Sequence, residues 1–402
     1  MFSSVAKSSG ARKAAEAHTI APAGIEVAGL NLEAAHRFKR HAPKLRPAVT
    51  ANRFAGRLPP AVEHHCAGSE NAVASRPGSS RSTDRQPRRH KTAMKVPVTA
   101  LILSFVTLSL PARADTPELS LRQVAPGIYV HQGAHELPDR HNRGEIANIG
   151  FIVGQRCVAA IDTGGSPEQG HALKRAIEST TTTPICYVIN THVHPDHIYG
   201  NIAFKQPGVS FIGHRKLAEA MAARAPFYRE KAERDLGFAL KSENFVAPDH
   251  PVRDTLVLDL GGRTLLLKAH KTAHTDSDLS IYDPQTKTLW LADLLFMGHL
   301  PVVDGSLNGW LSTIEQLKTL DARLAIPGHG PVSADWPKAL EPEERYLRTL
   351  QSEIRAFIKE GKTMEEAMEK VGLSARDDWQ LFDEFHKKNI STAFAELEWE
   401  DD

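Results

Sequence analysis

Three histidines and an aspartate crowd one short segment of this 402-residue chain, Thr191-His192-Val193-His194-Pro195-Asp196-His197. Imidazole and carboxylate are suitable ligands for zinc and other divalent first-row ions. In extended backbone, residues two apart project to the same side, so His192 and His194 can grip one ion. Pro195 restricts the backbone before it and turns the chain, which lets Asp196 and His197 face a second ion. A catalytic metal site needs further ligands and an open position for water. Three distant residues could supply them: His274 in Thr272-Ala273-His274-Thr275-Asp276, Asp293 at the end of Leu291-Ala292-Asp293, and His329 in Pro327-Gly328-His329-Gly330. A lone histidine in a loop is most simply surface decoration. The ordered set argues otherwise, because each member sits where a strand-like run meets a loop, a common place for ligand-binding residues.

These residues need elements to hold them. The apolar run over residues 185–190 reads as the strand that delivers Thr191. Residues 121–131, around Gly127, read as a hairpin, and the polar stretch 132–145 as a loop. Strands are predicted over 148–153 and 157–161, joined by Gly154-Gln155. Asp162-Thr163-Gly164-Gly165 turns into a helix over about 167–178. Residues 214–240 read as helical. Hairpins are predicted for 256–260 with 264–268 and for 279–282 with 288–291. A helix over 311–320, a short strand over 324–326 and a largely helical stretch from 336 to about 396 complete the pattern. No repeat of solenoid or propeller period is present. This order fits an α+β sandwich with helices outside two sheets.

Asp162 in Ile161-Asp162-Thr163-Gly164, then the histidine cluster, His274, Asp293 and His329, resemble the five-motif pattern of the metallo-β-lactamase superfamily across essentially all of residues 115–402. The resemblance implies a four-layer αββα sandwich with two metals at one edge. It implies that His192, His194 and His274 hold one ion, and that Asp196, His197 and His329 hold the other. Asp293 would bridge them, and Asp162 would orient ligands from behind, a role metal sites generally require. Two zinc ions are the implied cofactor, with iron or manganese as alternatives. Such ions lower the pKa of a shared water from about 16 towards about 7. The implied reaction is hydrolysis of an ester, thioester, lactone or amide-type small molecule by metal-activated hydroxide. Asp196 would be the catalytic side chain that orients the nucleophile or relays its proton.

The commonest subclass of class B β-lactamases has Cys where this chain has Asp293, and a bridging carboxylate resembles the glyoxalase-type site instead. That departure counts against antibiotic hydrolysis as the native role and leaves a β-lactamase as an alternative reading. The segment Glu145-Ile146-Ala147-Asn148-Ile149-Gly150, residues 290–301 and the C-terminal helical stretch are most similar to periplasmic quinoprotein relay system zinc metallohydrolases. That similarity implies a functional link to a periplasmic quinoprotein dehydrogenase. Two other readings remain open: a mononuclear iron dioxygenase on the same scaffold, and a non-catalytic accessory protein of a periplasmic redox pathway.

Residues 1–93 hold 16 Lys/Arg and 6 Asp/Glu, which leaves the remainder of this +1 chain at −9. An acidic body argues against nucleic-acid binding, which needs clustered positive charge. Residues 1–93 have few aromatics and no sustained apolar period, so they are expected to be disordered and are read as an upstream extension. Met94-Lys95, the apolar run 96–110 and Pro111-Ala112-Arg113-Ala114 have the order of a secretory signal over 94–114, with cleavage near Ala114/Asp115. Met94 is then the natural initiator. The run falls short of the roughly 20 residues of a bilayer span, so no stable span is expected after processing, and the product is periplasmic or secreted.

Cys157 and Cys186 lie in apolar runs and read as buried core thiols; a disulfide would require neighbouring strands at suitable Cα spacing. Tyr199 reads as core packing more than as a substrate contact. His141 and His299 read as solvated histidines, with pocket lining as the alternative.

Overall fold

The computed structural model describes residues 119–400 and a two-residue strand, β1 (Thr19–Ile20). The expectations for an upstream extension and a secretory signal otherwise lie outside the described residues.

Seven strands form the first sheet in chain order: β2 (Arg122–Ala125), β3 (Ile128–His131), β4 (Ile149–Val153), β5 (Val158–Ile161), β6 (Ile185–Ile189), β7 (Ser210–His214) and β8 (His250–Val252). Pairing is antiparallel as far as β5 and parallel from β5 to β8. The second sheet runs β1, β9 (Thr255–Asp259), β10 (Thr264–Ala269), β11 (Leu279–Asp283), β12 (Thr288–Phe296) and β13 (Leu324–His329). Its last pair, β12 with β13, is parallel.

Alternation along the strands builds the layers. In β5, Ala159 and Ile161 face the second sheet and pack with Leu258, Leu267, Ile281 and Trp290. Val158 and Ala160 face the other way, onto Leu173 and Ile177 of helix α1 (Pro167–Thr180). Both faces of β5 are covered, which is why it reads as an unbroken apolar run. Ser166 caps α1 by accepting from the Gln169 N–H at 3.1 Å, and Pro167 occupies the first turn, where no N–H is needed. On the far side of the second sheet, helix α4 (Leu307–Leu317) and the C-terminal helices α5 (Glu341–Lys359) and α7 (Phe382–Leu397), with the short α6 (Met364–Lys370) between them, bury Trp310, Ile314, Leu347, Leu350, Ile390 and Phe394 against Leu289 and Leu291. The result is the predicted αββα order. No helix among the described residues is long and apolar enough to cross a membrane.

Three expectations change. The first sheet has two strands the sequence pattern hides. β7 is a short run next to Gly208, and β8 is an edge strand carrying Pro251, a position where proline costs no ladder bond. Helix α3 (Leu217–Lys231), continued by a π-helical turn over Ala232–Leu236, is correspondingly shorter than the predicted 214–240. The cysteines are not free thiols: β5 and β6 are parallel neighbours, and Cys157 and Cys186 form a disulfide with Cα atoms 5.4 Å apart.

Candidate metal centre

The site forms where both sheets end. β6 finishes at Ile189, and Asn190, Thr191 and His192 follow in the next three steps. Pro195 then opens a single helical turn, α2 (Pro195–Ile198), which carries Asp196 and His197. From the second sheet come His274, in the loop between β10 and β11, Asp293 in β12 and His329 at the end of β13. Two non-glycine residues beside the site take the left-handed region, Asp162 at φ 54° and Ala292 at φ 46°. Such conformations cost about 1–3 kcal/mol each and cluster at functional sites. Ala292 lies between two shifts in the β12–β13 register, and the irregularity turns Asp293 towards the histidines. Gly328 on the neighbouring strand is required by that turn: a Cβ there would lie 1.8 Å from Asp293 Oδ1.

All seven sequence-predicted ligands converge. Ligand atoms of His192, His194, His274 and Asp293 lie within 4.8 Å of one another, and so do those of Asp196, His197 and His329. Asp293 stands between the groups, with Oδ2 3.3 Å from His274 Nε2 and 3.5 Å from His329 Nε2, and Oδ1 3.1 Å from His197 Nε2. Asp196 Oδ2 is 3.4 Å from His329 Nε2 and 3.6 Å from His197 Nε2.

Every histidine has one ring nitrogen held from behind. His192 Nδ1 meets Thr191 Oγ1 at 3.0 Å, and that hydroxyl donates to Asp162 Oδ2 at 2.7 Å. His197 Nδ1 donates to the same Asp162 oxygen at 2.8 Å. His274 Nδ1 donates to Val302 O at 2.7 Å, and His329 Nδ1 to Ile146 O at 2.9 Å. His194 is reversed: its Nε2 meets Asp304 Oδ2 at 3.1 Å and its Nδ1 faces inward. These partners leave the opposite nitrogen of each of the five rings facing the centre, the arrangement metal-binding histidines use.

The donor set fits cations. His192 Nε2 is buried without a hydrogen-bond partner, and His197 Nε2 and Asp293 Oδ1, paired by charge at 3.1 Å, make no well-aligned hydrogen bond, a cost that a coordinated ion removes. His194 Nδ1 and His274 Nε2 lie 2.9 Å apart although both rings give a proton to oxygen on the other side. Two neutral rings so arranged present lone pair to lone pair, and a cation between them resolves the conflict.

The two halves differ electrostatically. Burial, with the repulsion of neighbouring imidazoles, pushes His192 well below its usual pKa and His274 down to about 3. Burial also opposes charge on His197 and His329, but Asp293, Asp162 and Asp196 outweigh it: His197 sits well above its ordinary value and His329 is raised to about 9. Burial alone would raise Asp196, yet the charges of His197 and His329 hold it at about 2, and Asp293 is driven well below the carboxylate range in the same way.

A cavity of about 230 Å³ opens onto Asp196, Asp293, His194, His274 and His329. Its walls are largely apolar, formed by Leu137, Ile146, Leu236, Phe296, Val302 and Phe385. Tyr199 lines it but is buried, with its hydroxyl donating to Tyr228 O at 3.0 Å, so packing is its main role as expected. His299 is not the solvated histidine expected: it is 3% exposed, lines the cavity, and packs 4.9 Å from the His329 ring. Its disguise is local, since Phe296-Met297-Gly298 resembles any strand-to-turn exit. His141 stays on the surface as expected. Asp304 escaped the sequence reading altogether, because only the fold brings it to His194, 110 residues away. Glu343, on the helix Glu341–Lys359, was also missed: burial pushes its carboxyl well up, and it accepts the Phe296 N–H at 2.6 Å, bracing the cavity wall.

Residues 142–329 match the family described as the metallo-beta-lactamase superfamily. The chain is 29% identical over 234 residues to beta-lactamase-like protein 2 homolog from Caenorhabditis elegans, covering 56% of this chain and 70% of that protein. It is 24% identical over 257 residues to a linear primary-alkylsulfatase from a Pseudomonas species, covering 53% of this chain and 47% of the relative. The solved structure of the sec-alkylsulfatase Pisa1 from Pseudomonas sp. shares the fold, with TM-score 0.51 and 19% identity over 63% of this chain and 45% of the other. The chain thus spans less than half the length of either alkylsulfatase. Residues 142–329, which carry all seven candidate ligands, are a metallo-β-lactamase superfamily domain.

Proposed function

We propose that the protein is an exported binuclear zinc hydrolase acting on a small molecule that joins an apolar group to an ester-type bond: an ester, thioester, lactone, amide or sulfate ester. The observation that carries this reading is the set of five histidines, each pinned at one nitrogen and aimed with the other at two shared carboxylates beside an apolar cavity. His192, His194 and His274 would hold one ion, Asp196, His197 and His329 the second, with Asp293 common to both. Ions held there would supply an activated water and a Lewis acid for the developing oxyanion. The chain's own contribution is orientation. Asp162 and Asp304 fix the rings, and the apolar walls exclude water and seat the substrate. Asp196, part-exposed to the cavity, is positioned to hold or take the nucleophile's proton. Sulfate esters join the substrate list because two relatives are named alkylsulfatases.

The test is a hydrolysis panel on the zinc-loaded chain: aryl and alkyl esters, thioesters, lactones, sulfate esters and β-lactams. Turnover that a chelator abolishes and zinc restores is the expected result, with Asp196→Asn losing rate while keeping its metal. Full zinc loading without turnover of any class would overturn the hydrolase reading in favour of an accessory protein. A single iron per chain with oxygen consumption would favour a dioxygenase.

Export rests on the Met94–Asp115 sequence pattern and is supported by the Cys157–Cys186 disulfide, a bond typical of oxidising compartments. N-terminal sequencing of the exported protein should begin at Asp115 or a near neighbour; a start upstream of Met94 would refute the signal. The link to a periplasmic quinoprotein dehydrogenase rests only on the narrower sequence resemblance. Absence of any co-elution with such a dehydrogenase from a periplasmic extract would remove it.

A further inference from the structure

The C-terminal helix α7 (Phe382–Leu397) lies beyond the residues matched to the family, which end at His329. It nonetheless reaches the segment that supports one half of the metal centre. Residues 301–307 run past the site as a strap. Val302 O on that strap accepts from His274 Nδ1, and Asp304 Oδ2 meets His194 Nε2. Two of the three histidines in the first half are therefore oriented by groups only two residues apart.

α7 holds the strap at three points. The Asn389 side chain, fully buried, donates from Nδ2 to Pro301 O at 2.7 Å and accepts the Val303 N–H at Oδ1 at 2.9 Å, bracketing Val302. Lys388 Nζ lies 3.4 Å from Asp304 Oδ1. Glu396 accepts from Ser306 Oγ at 2.7 Å and from the Leu307 N–H at 2.6 Å. Asn389 and Glu396 are seven residues apart, so they share one helix face.

The Asn389 amide is itself held in register. Its second Nδ2 proton goes to Tyr346 Oη at 3.0 Å, that hydroxyl donates to His386 Nδ1 at 3.0 Å, and His386 Nε2 donates to Val371 O at 2.8 Å. Each donor in this buried chain has one acceptor, leaving the amide one orientation. Among the described residues the second half has no hydrogen-bonded connection of this kind: His197 is held by Asp162 and His329 by Ile146 O, both on the N-terminal side of the domain, and α7 meets it only by ring packing, Phe385 on His299.

We propose that Asn389 is a positioning residue for the first metal site, acting through Val302 and Asp304 on His274 and His194, so that α7 sets the affinity of one ion and not the other. This rests on the binuclear reading above. The test uses the full chain, loaded with two equivalents of zinc and dialysed against graded chelator while retained zinc is counted. Asn389→Leu, close in shape but without the hydrogen bonds, should release one ion at about 10- to 100-fold lower chelator, the scale of an outer partner's effect. That ion should be the one Asp304→Ala also loosens, while the other stays within about two-fold of wild type. Tyr346→Phe, which removes only the hydroxyl that aligns the amide, should shift the same ion by a smaller factor, and it decides the matter if Asn389→Leu fails to fold. Ile390→Ala, a core truncation on the same helix, should lower the Tm and move neither ion selectively. Unchanged release curves in both Asn389→Leu and Tyr346→Phe, or a parallel shift of both ions, would overturn the proposal and leave the hydrolase reading standing. A wild-type chain that holds fewer than two ions would overturn both.

Discussion

The two halves of the metal centre lie side by side but are built on opposite principles. His192 and His274 are kept neutral by burial and mutual repulsion, and among the described residues only the Asp293 carboxylate approaches their inward nitrogens. His197 and His329 face Asp196 and Asp293 and hold their protons strongly, with Asp162 behind His197. The first half is a cluster of bare lone pairs ready for a cation. The second is an ion-pair network in which a cation must displace protons. Their supports differ too: the first is held largely by the strap at Val302 and Asp304, the second by Asp162 and Ile146.

Removing the shared residue erases the contrast and should have the largest effect. Asp293→Ala takes the common carboxylate from both halves. We expect loss of both ions and a fall in hydrolysis of more than about 100-fold, beyond the 10- to 100-fold typical of outer partners. Zinc counting after gel filtration checks it; two retained ions would show that Asp293 is not shared. Removing a support from one side should sharpen the contrast instead. Asp304→Ala should weaken one ion by about 10- to 100-fold, while Asp162→Ala should chiefly weaken the other. Thr191 links Asp162 to His192, so a smaller effect of Asp162→Ala on the first ion is also expected.

The same contrast explains what the sequence could show. Each ligand carries a local mark: the His-x-His-x-Asp-His spacing, or a polar residue closing an apolar run. The strands were legible where an apolar run is bounded by turn residues, as β5 is. The supports carry no such mark. Asp304 stands in Val303-Asp304-Gly305, which reads as any turn, and its partner is 110 residues away. Asn389 sits within an amphipathic helix and looks like a polar interruption of its buried face. Cys157 and Cys186 were misread for the same reason: pairing depends on β5 and β6 being neighbours, which neither run states alone.

Acidity should separate the halves next. In the metal-free chain His329 holds a proton up to about pH 9. Its raised pKa adds stability to that form, fully present below about pH 6.5 and lost as pH rises through 9. A cation at the second half works against that proton, so its affinity should fall as pH drops from 9, by up to about tenfold per unit for each proton displaced. Zinc titration in weak buffer at pH 7.5 should release more protons with one equivalent than with the other. Equal release would mean that the halves are electrostatically alike.

The smallest expected effect concerns what covers each half. Phe296 stacks on the His329 ring at 5.1 Å, and Phe385 lies 5.3 Å from His299, which itself packs against His329. The first half is flanked by Asp304, Arg224 and Lys388. An apolar group on the substrate should therefore lie over the second half and a polar group over the first. Phe385→Ala removes part of the apolar cover without touching a ligand. It should cost about 1 kcal/mol of binding, a roughly five-fold rise in KM for a long-chain ester. A short-chain ester should be almost unaffected, with kcat and zinc content unchanged for both. An equal rise in KM for both esters would place the apolar group elsewhere.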